Sequence, residues 1–180
     1  MSESLKKSEP NTNTEPVDVL RVSDIELSAL VSLLAPYQLN VQLNAGDDSI
    51  PGSFWGDDEA GLIANTLYLR PDTPIHSVLH EAGHYVCMSS DRRDGLDTNA
   101  GGDYDEENGV CYLQILFADE LEGLNKNRMM ADMDQWGYTF RLGSAQKWFE
   151  LDAQDACNWL IEKGIIDKTG IPSWQLRGQT

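Results

Sequence analysis

Hydrophobic and polar residues recur with two different periods in the first part of the chain, and each period predicts a different element. Apolar residues three or four apart follow Ser23, so a first helix is predicted there, ending at Pro36. Residues 39–43, LNVQL, alternate apolar with polar, as a half-buried strand does. Residues 61–70, GLIANTLYLR, predict one or two further short strands.

The helical period dominates the rest of the chain. Thr73 is a good N-cap residue and Pro74 is tolerated at the first helical position, so a helix is predicted that runs to about Met88. A Gly- and Asp-rich connection, DGLDTNAGGDYDE, leads to a second helix over about 105–121. Two further helices are predicted over about 123–134 and 144–163. Strands in one block and helices in another predict an α+β fold.

Length and composition predict one globular domain. The chain has 180 residues, of which 41% are hydrophobic, and this suffices to bury a single core. Residues 1–18 are rich in polar residues and proline and have almost nothing apolar to bury, so they are predicted to be a disordered N-terminal tail. Residues 19–180 then form the single domain.

The charge and the cysteines narrow the classes of partner and the compartment. Acidic residues number 30 against 13 basic ones, and the net charge of −17 opposes binding to nucleic acid or to an anionic membrane. No apolar run reaches the ~18–20 residues of a membrane span, and the N-terminus has no apolar segment typical of a secretory signal. Cys87, Cys111 and Cys157 form no CxxC pair, so free thiols and a cytoplasmic location are predicted.

The candidate chemistry lies within residues 77–86, SVLHEAGHYV, where His80, Glu81 and His84 form an H-E-x-x-H pattern. A spacing of four brings both imidazoles to one face of a helix, about one turn apart, where they can reach one metal ion. Glu81 lies beside them and can accept a proton from water at that metal. The alternative is an ordinary amphipathic helix with two unrelated histidines.

Several features of the neighbouring sequence favour the metal site. The residues that flank the motif are uncharged, a strand is predicted directly before the helix, and all three histidines lie between positions 76 and 84. His76 lies roughly 12 Å along the helix axis from His84, too far to share the ion comfortably. We expect it to support the site, to contact substrate or to lie on the surface. Gly83 costs ~1 kcal/mol in a helix interior, which indicates the close approach of another element at the site or ordinary helix–helix packing.

A catalytic zinc ion needs a third protein ligand besides the two histidines. The cysteines lie in apolar helical surroundings and are poor candidates, whereas acidic residues crowd the predicted start of the second helix. Acidic residues also favour helix N-termini through the helix dipole alone, so these grounds leave the choice among them open. The candidates are Asp103, Asp105, Glu106 and Glu107.

HEAGH followed by a glutamate on a second helix resembles the gluzincin metallopeptidases, above all the small ImmA/IrrE-type members, or a bacterial family with the same core. Their second helix reads E-x-x-A-x-x-F-A-x-x-L-L. From Glu106, this chain matches the small residue with Gly109 and the aromatic residue with Tyr112. The resemblance therefore implies Glu106 as the third ligand, with Glu107 as the alternative. It covers residues 77–117, but the family's following Met-Pro segment and its helix-turn-helix module are missing.

The resemblance implies a zincin-like core, in which a small sheet packs on the H-E-x-x-H helix, an edge strand runs beside the metal and further helices follow. It also implies a zinc-dependent peptidase that hydrolyses a peptide or protein substrate through a metal-activated water, with Glu81 as general base. Zinc lowers the pKa of such a water towards ~7. Tyr104, Tyr138 and His76 are candidates for stabilising the oxyanion. A zinc-binding domain that regulates or binds a partner without proteolysis is the alternative.

Overall fold

The computed structural model describes residues 17–179, so residues 1–16 of the predicted tail lie outside the described part of the chain. Three strands and seven α-helices within that part confirm the α+β class. The strands are β1 (Asn40–Leu43), β2 (Gly61–Ile63) and β3 (Thr66–Leu69). The helices are α1 (Leu27–Leu34), α2 (Ile75–Cys87), α3 (Ser90–Asp94), α4 (Tyr104–Glu120), α5 (Lys126–Trp136), α6 (Ala145–Leu151) and α7 (Gln154–Glu162). Over residues 17–179, no helix is both long enough and apolar enough to cross a bilayer.

The sheet places its central strand directly before the motif helix. β3 pairs in parallel with β1, for example Leu67 with Val41, and antiparallel with β2, for example Leu67 with Leu62. The outer side of β2 is also bonded, because the Leu62 amide donates to the Gly52 carbonyl at 3.2 Å and the Thr98 amide donates to the Leu62 carbonyl at 2.9 Å. The strand before α2 is therefore not the edge strand that the resemblance implies.

The two helices that carry the candidate residues pack directly against each other. A Cβ atom on Gly83 of α2 would lie 3.1 Å from Cγ1 of Val110 and 3.3 Å from its carbonyl oxygen, both on α4. On another side of α4, a Cβ atom on Gly109 would lie 2.7 Å from a ring carbon of Trp159 in α7. Both glycines therefore serve helix packing, and the packing at Gly83 brings the motif beside the first turns of α4.

The start of the first helix differs from the prediction for a tertiary reason. Residues Val22–Asp24 form a short 3-10 turn, and α1 begins only at Leu27. The amide of Val22 donates to the carbonyl of Thr73 at 2.9 Å, which fixes this segment beside the turn that precedes α2. Val22 and Thr73 are about fifty residues apart in the sequence, so the local pattern of apolar residues could not predict this hydrogen bond.

The second half of the chain has more helix boundaries than its sequence predicts. The helix predicted over 144–163 is divided into α6 and α7 at Asp152, whose carboxylate pairs with Arg141 at 2.9 Å. The short helix α3 was not predicted. It presents Arg93 to the carbonyls of Tyr85 at 2.9 Å and Met88 at 2.6 Å, which holds it against the end of α2.

Candidate metal centre

Both motif histidines project from the same side of α2, as the spacing of four predicts. The ring centroids of His80 and His84 lie 4.6 Å apart in an edge-to-face arrangement. His84 is buried and His80 is half-buried, and both line one cavity. The two imidazoles are thus close together, shielded on the protein side and reachable from solvent, as a catalytic metal site requires.

Glu107, from the first turn of α4, completes a group of three. Its ligand atoms and those of His80 and His84 all lie within 4.8 Å of one another. The Nε2 atom of His84 lies 3.7 Å from Oε2 of Glu107. Two ligand atoms that share a tetrahedral zinc ion at about 2.0–2.1 Å lie roughly 3.4 Å apart. The donor set and its spacing therefore fit a zinc ion after small side-chain adjustments.

Glu106, the first choice for the third ligand, faces a different part of the molecule. Nη1 of Arg92 donates to both carboxylate oxygens of Glu106, at 2.9 and 2.8 Å, and Nη1 of Arg177 donates to Oε2 at 3.2 Å. Successive side chains on a helix point about 100° apart, so adjacent glutamates cannot face the same group. Glu107, the alternative for the third ligand, is the glutamate that lies beside the histidines.

Gln114 orients His80, and the sequence interpretation missed this role. Nε2 of Gln114 donates to the carbonyl of His76 at 2.9 Å, so its Oε1 is the acceptor that faces Nδ1 of His80 at 2.9 Å. The Nδ1 atom of His80 then carries the proton, and Nε2 carries the lone pair that a metal needs. The signal in the sequence was a lone polar residue two turns after Glu107, inside an otherwise apolar run.

His76 is a fully buried support for the site and does not line the cavity. Its Nδ1 atom lies 3.2 Å from the hydroxyl of Tyr138, and its ring packs against Trp136 with centroids 4.9 Å apart. The ring of Tyr138 in turn packs edge-on against His80, with centroids 5.8 Å apart. Of the roles expected for His76, the supporting one agrees with its contacts.

The histidines, Glu107 and the motif glutamate share one cavity of about 390 Å³. Glu81 is 6% exposed and lines this cavity together with the hydroxyl-bearing Tyr138. The other wall is the connection between α3 and α4, including Thr98 and Gly101. A carboxylate, a phenol and a cluster of metal-binding side chains thus meet in one space large enough for part of a substrate.

Two acidic groups in the cavity have pKa values that are raised by burial. Burial raises the pKa of Glu107 to about 7 in the metal-free protein, although the Gly102 amide at 3.3 Å opposes the shift. Burial likewise raises the pKa of Tyr138 well above its ordinary value, and the nearby Cys111 and Glu59 add to the rise. Tyr138 is therefore a protonated hydrogen-bond donor at neutral pH.

No protein-family profile, no curated protein and no solved structure matches this chain. The resemblance to gluzincins consequently rests on the motif residues of this sequence alone.

The remaining candidates have structural roles. The carboxylate of Asp103 accepts from the amide of Glu106 at 2.9 Å and caps α4, and Asp105 is exposed in the first turn. Both positions agree with the helix-dipole interpretation. The described cysteines are free thiols, with Cys87 and Cys111 buried, and neither belongs to the group of potential ligands found among the described residues.

Proposed function

We propose that this protein is a zinc-dependent peptidase in which His80, His84 and Glu107 hold the metal. The observation that carries the proposal is the convergence of three ligand atoms within 4.8 Å, on two helices, at a cavity that Glu81 also lines. A catalytic zinc site uses three protein ligands and keeps one position for water or substrate. Two histidines and one carboxylate are such a set.

Glu81 is the general base of the proposed reaction. A bound zinc ion would polarise a substrate carbonyl and lower the pKa of water at the site towards ~7. Glu81 follows His80 directly in α2 and lines the same cavity, so its carboxylate can accept a proton from that water. It then gives the proton to the leaving amine. Hydrolysis adds one water across the peptide bond and yields a carboxylate and an amine.

Tyr138 is the donor proposed for the developing negative charge on the carbonyl oxygen. It lines the cavity and packs against His80, whereas His76 lies behind it and Tyr104 lies at the exposed rim. A phenol with a raised pKa donates a hydrogen bond throughout the neutral range. His76 and Gln114 act through other residues, by holding Tyr138 and His80.

The fold proposed for this function is a minimal zincin-like core of the sheet, α2 and α4. Contact between β3 and α2 and the close packing of α2 on α4 support it. A cytoplasmic location is part of the proposal, since three free thiols suit a reducing compartment. The filled outer side of β2 is a departure from the expected core.

Elemental analysis of purified protein that has been reloaded with zinc tests the metal site. One zinc ion per chain is expected in wild type and in Glu81→Gln, and none in His84→Ala. Glu81→Gln should keep its zinc and lose hydrolysis of fluorescence-quenched peptides, because only the base is removed. Wild-type protein that takes up no zinc would refute the metal site. Zinc-loaded protein that hydrolyses no peptide would favour the regulatory alternative.

A further inference from the structure

Exposed aromatic side chains are concentrated around the candidate metal centre. Among the described residues, the large aromatic side chains that remain exposed are Phe54 at 55%, Trp55 at 48% and Tyr104 at 51%. All three line the cavity that contains the motif. Exposed apolar surface gathered at one cavity is typical of a ligand-binding groove, whereas single exposed residues scattered over a surface need no explanation.

The aromatic residues come from two separate segments of the chain. Phe54 and Trp55 pack edge to face, with centroids 5.2 Å apart, in a turn where the Gly56 amide donates to the Ser53 hydroxyl at 3.0 Å. Tyr104 is the first residue of α4, three positions before Glu107. A side chain that enters the cavity beside the metal ligands therefore meets aromatic rings contributed by both segments.

Apart from the two histidines, the side chains lining the cavity that can carry a charge near neutral pH are carboxylates. They include Glu81, Asp103 and Glu107, and no lysine or arginine lines it. The nearby Arg92 and Arg177 share the single carboxylate of Glu106, so they and a bound zinc ion reduce the negative charge at the base of the cavity. The preference for cationic groups therefore comes from the exposed Asp103 and from the charge of the whole chain. With a net charge of −17 on the whole chain, the approach to the cavity favours cationic groups.

Recognition by strand addition is blocked at the sheet edge nearest this cavity wall. On the outer side of β2, Leu62 is already hydrogen-bonded to Gly52 and to Thr98. Gly52 lies just before the turn that carries Phe54 and Trp55, and Thr98 lines the cavity. A substrate main chain cannot pair with a strand whose amide and carbonyl groups are occupied. Side-chain recognition must therefore carry more of the selection.

We propose that the site selects polypeptide segments in which a large aromatic side chain lies next to lysine or arginine. The aromatic side chain packs against Phe54, Trp55 and Tyr104, and the basic neighbours interact with the exposed Asp103 and the acidic surface of the chain. This inference rests on the proposed peptidase function.

A library of blocked octapeptides, randomised at every position and digested by the zinc-loaded protein, tests the selection. Mass spectrometry of the products should show cleavage next to aromatic residues with basic neighbours. On one peptide with phenylalanine between two lysines, Trp55→Ala and Phe54→Ala should each lower kcat/KM at least about 10-fold, mainly through KM. Leu151→Ala is the matched control, because it removes an exposed apolar side chain on α6 that does not line the cavity, and it should change nothing. Added salt should weaken the preference for lysine.

The outcomes separate this inference from the proposed function. Cleavage without preference, or with preference for acidic neighbours, overturns the inference and leaves the peptidase intact. If zinc-loaded protein cleaves nothing, the peptidase proposal fails. Calorimetric titration of Glu81→Gln then decides the inference. It compares the affinity of the peptide with phenylalanine between two lysines with that of the same peptide with serine in place of phenylalanine. Equal binding of the two peptides overturns it, and tighter binding of the aromatic one supports it.

Discussion

Two adjacent glutamates should respond in opposite ways to the same substitution. Glu106→Gln is expected to lower stability and to keep zinc, whereas Glu107→Gln is expected to lose zinc and to stabilise the metal-free protein. The reason is their surroundings: Glu106 is bonded to Arg92 and Arg177, and Glu107 lies beside the two histidines. Neutralising each carboxylate therefore removes a different interaction.

The size of each effect follows from burial and charge. Breaking a buried ion pair costs about 3–5 kcal/mol, but the side chains of Arg92 and Arg177 remain 39% and 26% exposed to water. We therefore expect about 2–3 kcal/mol for Glu106→Gln, a fall in Tm of roughly 5–10 °C for a chain of this size. Loss of the Glu107 carboxylate should weaken zinc binding more than about 100-fold. Loss of a residue that only hydrogen-bonds to a metal ligand costs about 10- to 100-fold.

The effect of Glu107→Gln on the metal-free protein depends on pH. Burial raises the pKa of Glu107 to about 7, so folding favours its protonated form. That contribution to stability is complete below the unfolded pKa and is lost as pH rises through about 7. The variant should thus match wild type near pH 4 and exceed it near pH 8, by about 2–3 kcal/mol.

Urea unfolding in the presence of a chelator and zinc competition against a chromophoric chelator measure the two effects. Asp132→Asn is the matched control for Glu106→Gln, because Asp132 is a similarly buried carboxylate that accepts from Nε of Arg128 at 2.7 Å, away from the cavity. Both variants should lose comparable stability and keep zinc. Loss of zinc in Glu106→Gln with retention in Glu107→Gln would refute the assignment of the ligand.

Substitutions at three further positions test the supporting contacts. Tyr138→Phe should lower kcat about 100-fold or more with little change in KM, and an unchanged kcat in steady-state assays would exclude Tyr138 as the oxyanion donor. Gln114→Leu should weaken zinc binding about 10- to 100-fold, because it releases His80. Competition titration measures this loss. Gln114→Glu should retain most of the affinity, because its carboxylate can still accept a hydrogen bond from Nδ1 of His80. Gly83→Val should cost about 1–3 kcal/mol in urea unfolding because its Cβ would press on Val110, and a neutral result would contradict the close packing.

Sequence alone could predict the elements whose signals are local. The helix that carries His80 and His84 was predicted over nearly its observed length, because proline, apolar spacing and polar residues mark its ends. The strands β2 and β3 were predicted for the same reason. The order of the strands in the sheet could not be predicted in this way. β3 is central because it pairs with β1, which is separated from β2 and β3 by a long connection.

The contacts that decide the site are long-range, so local patterns could not supply them. Arg177 reaches Glu106 across 71 positions of sequence, and Gln114 lies 34 positions after His80. The aromatic turn at Phe54 and Trp55 contains nothing that marks it as part of the same cavity as α2. Only the packing of helices and connections brings these residues together.

The register of α4 was nevertheless present in the sequence, and physical reasoning about buried polar groups could have found it. Starting the resemblance from Glu106 gave the better match of small and aromatic residues, and that match reflects packing, since Gly109 contacts Trp159 on α7. Starting it from Glu107 puts the polar Gln114 where the family has an alanine, within an apolar run. The buried side-chain amide of Gln114 must have hydrogen-bond partners. Gln114 follows Glu107 by seven residues, or two helical turns, so both side chains lie on the same face of α4. The unexplained polar residue, rather than the better match of apolar ones, identified the face that points at the histidines.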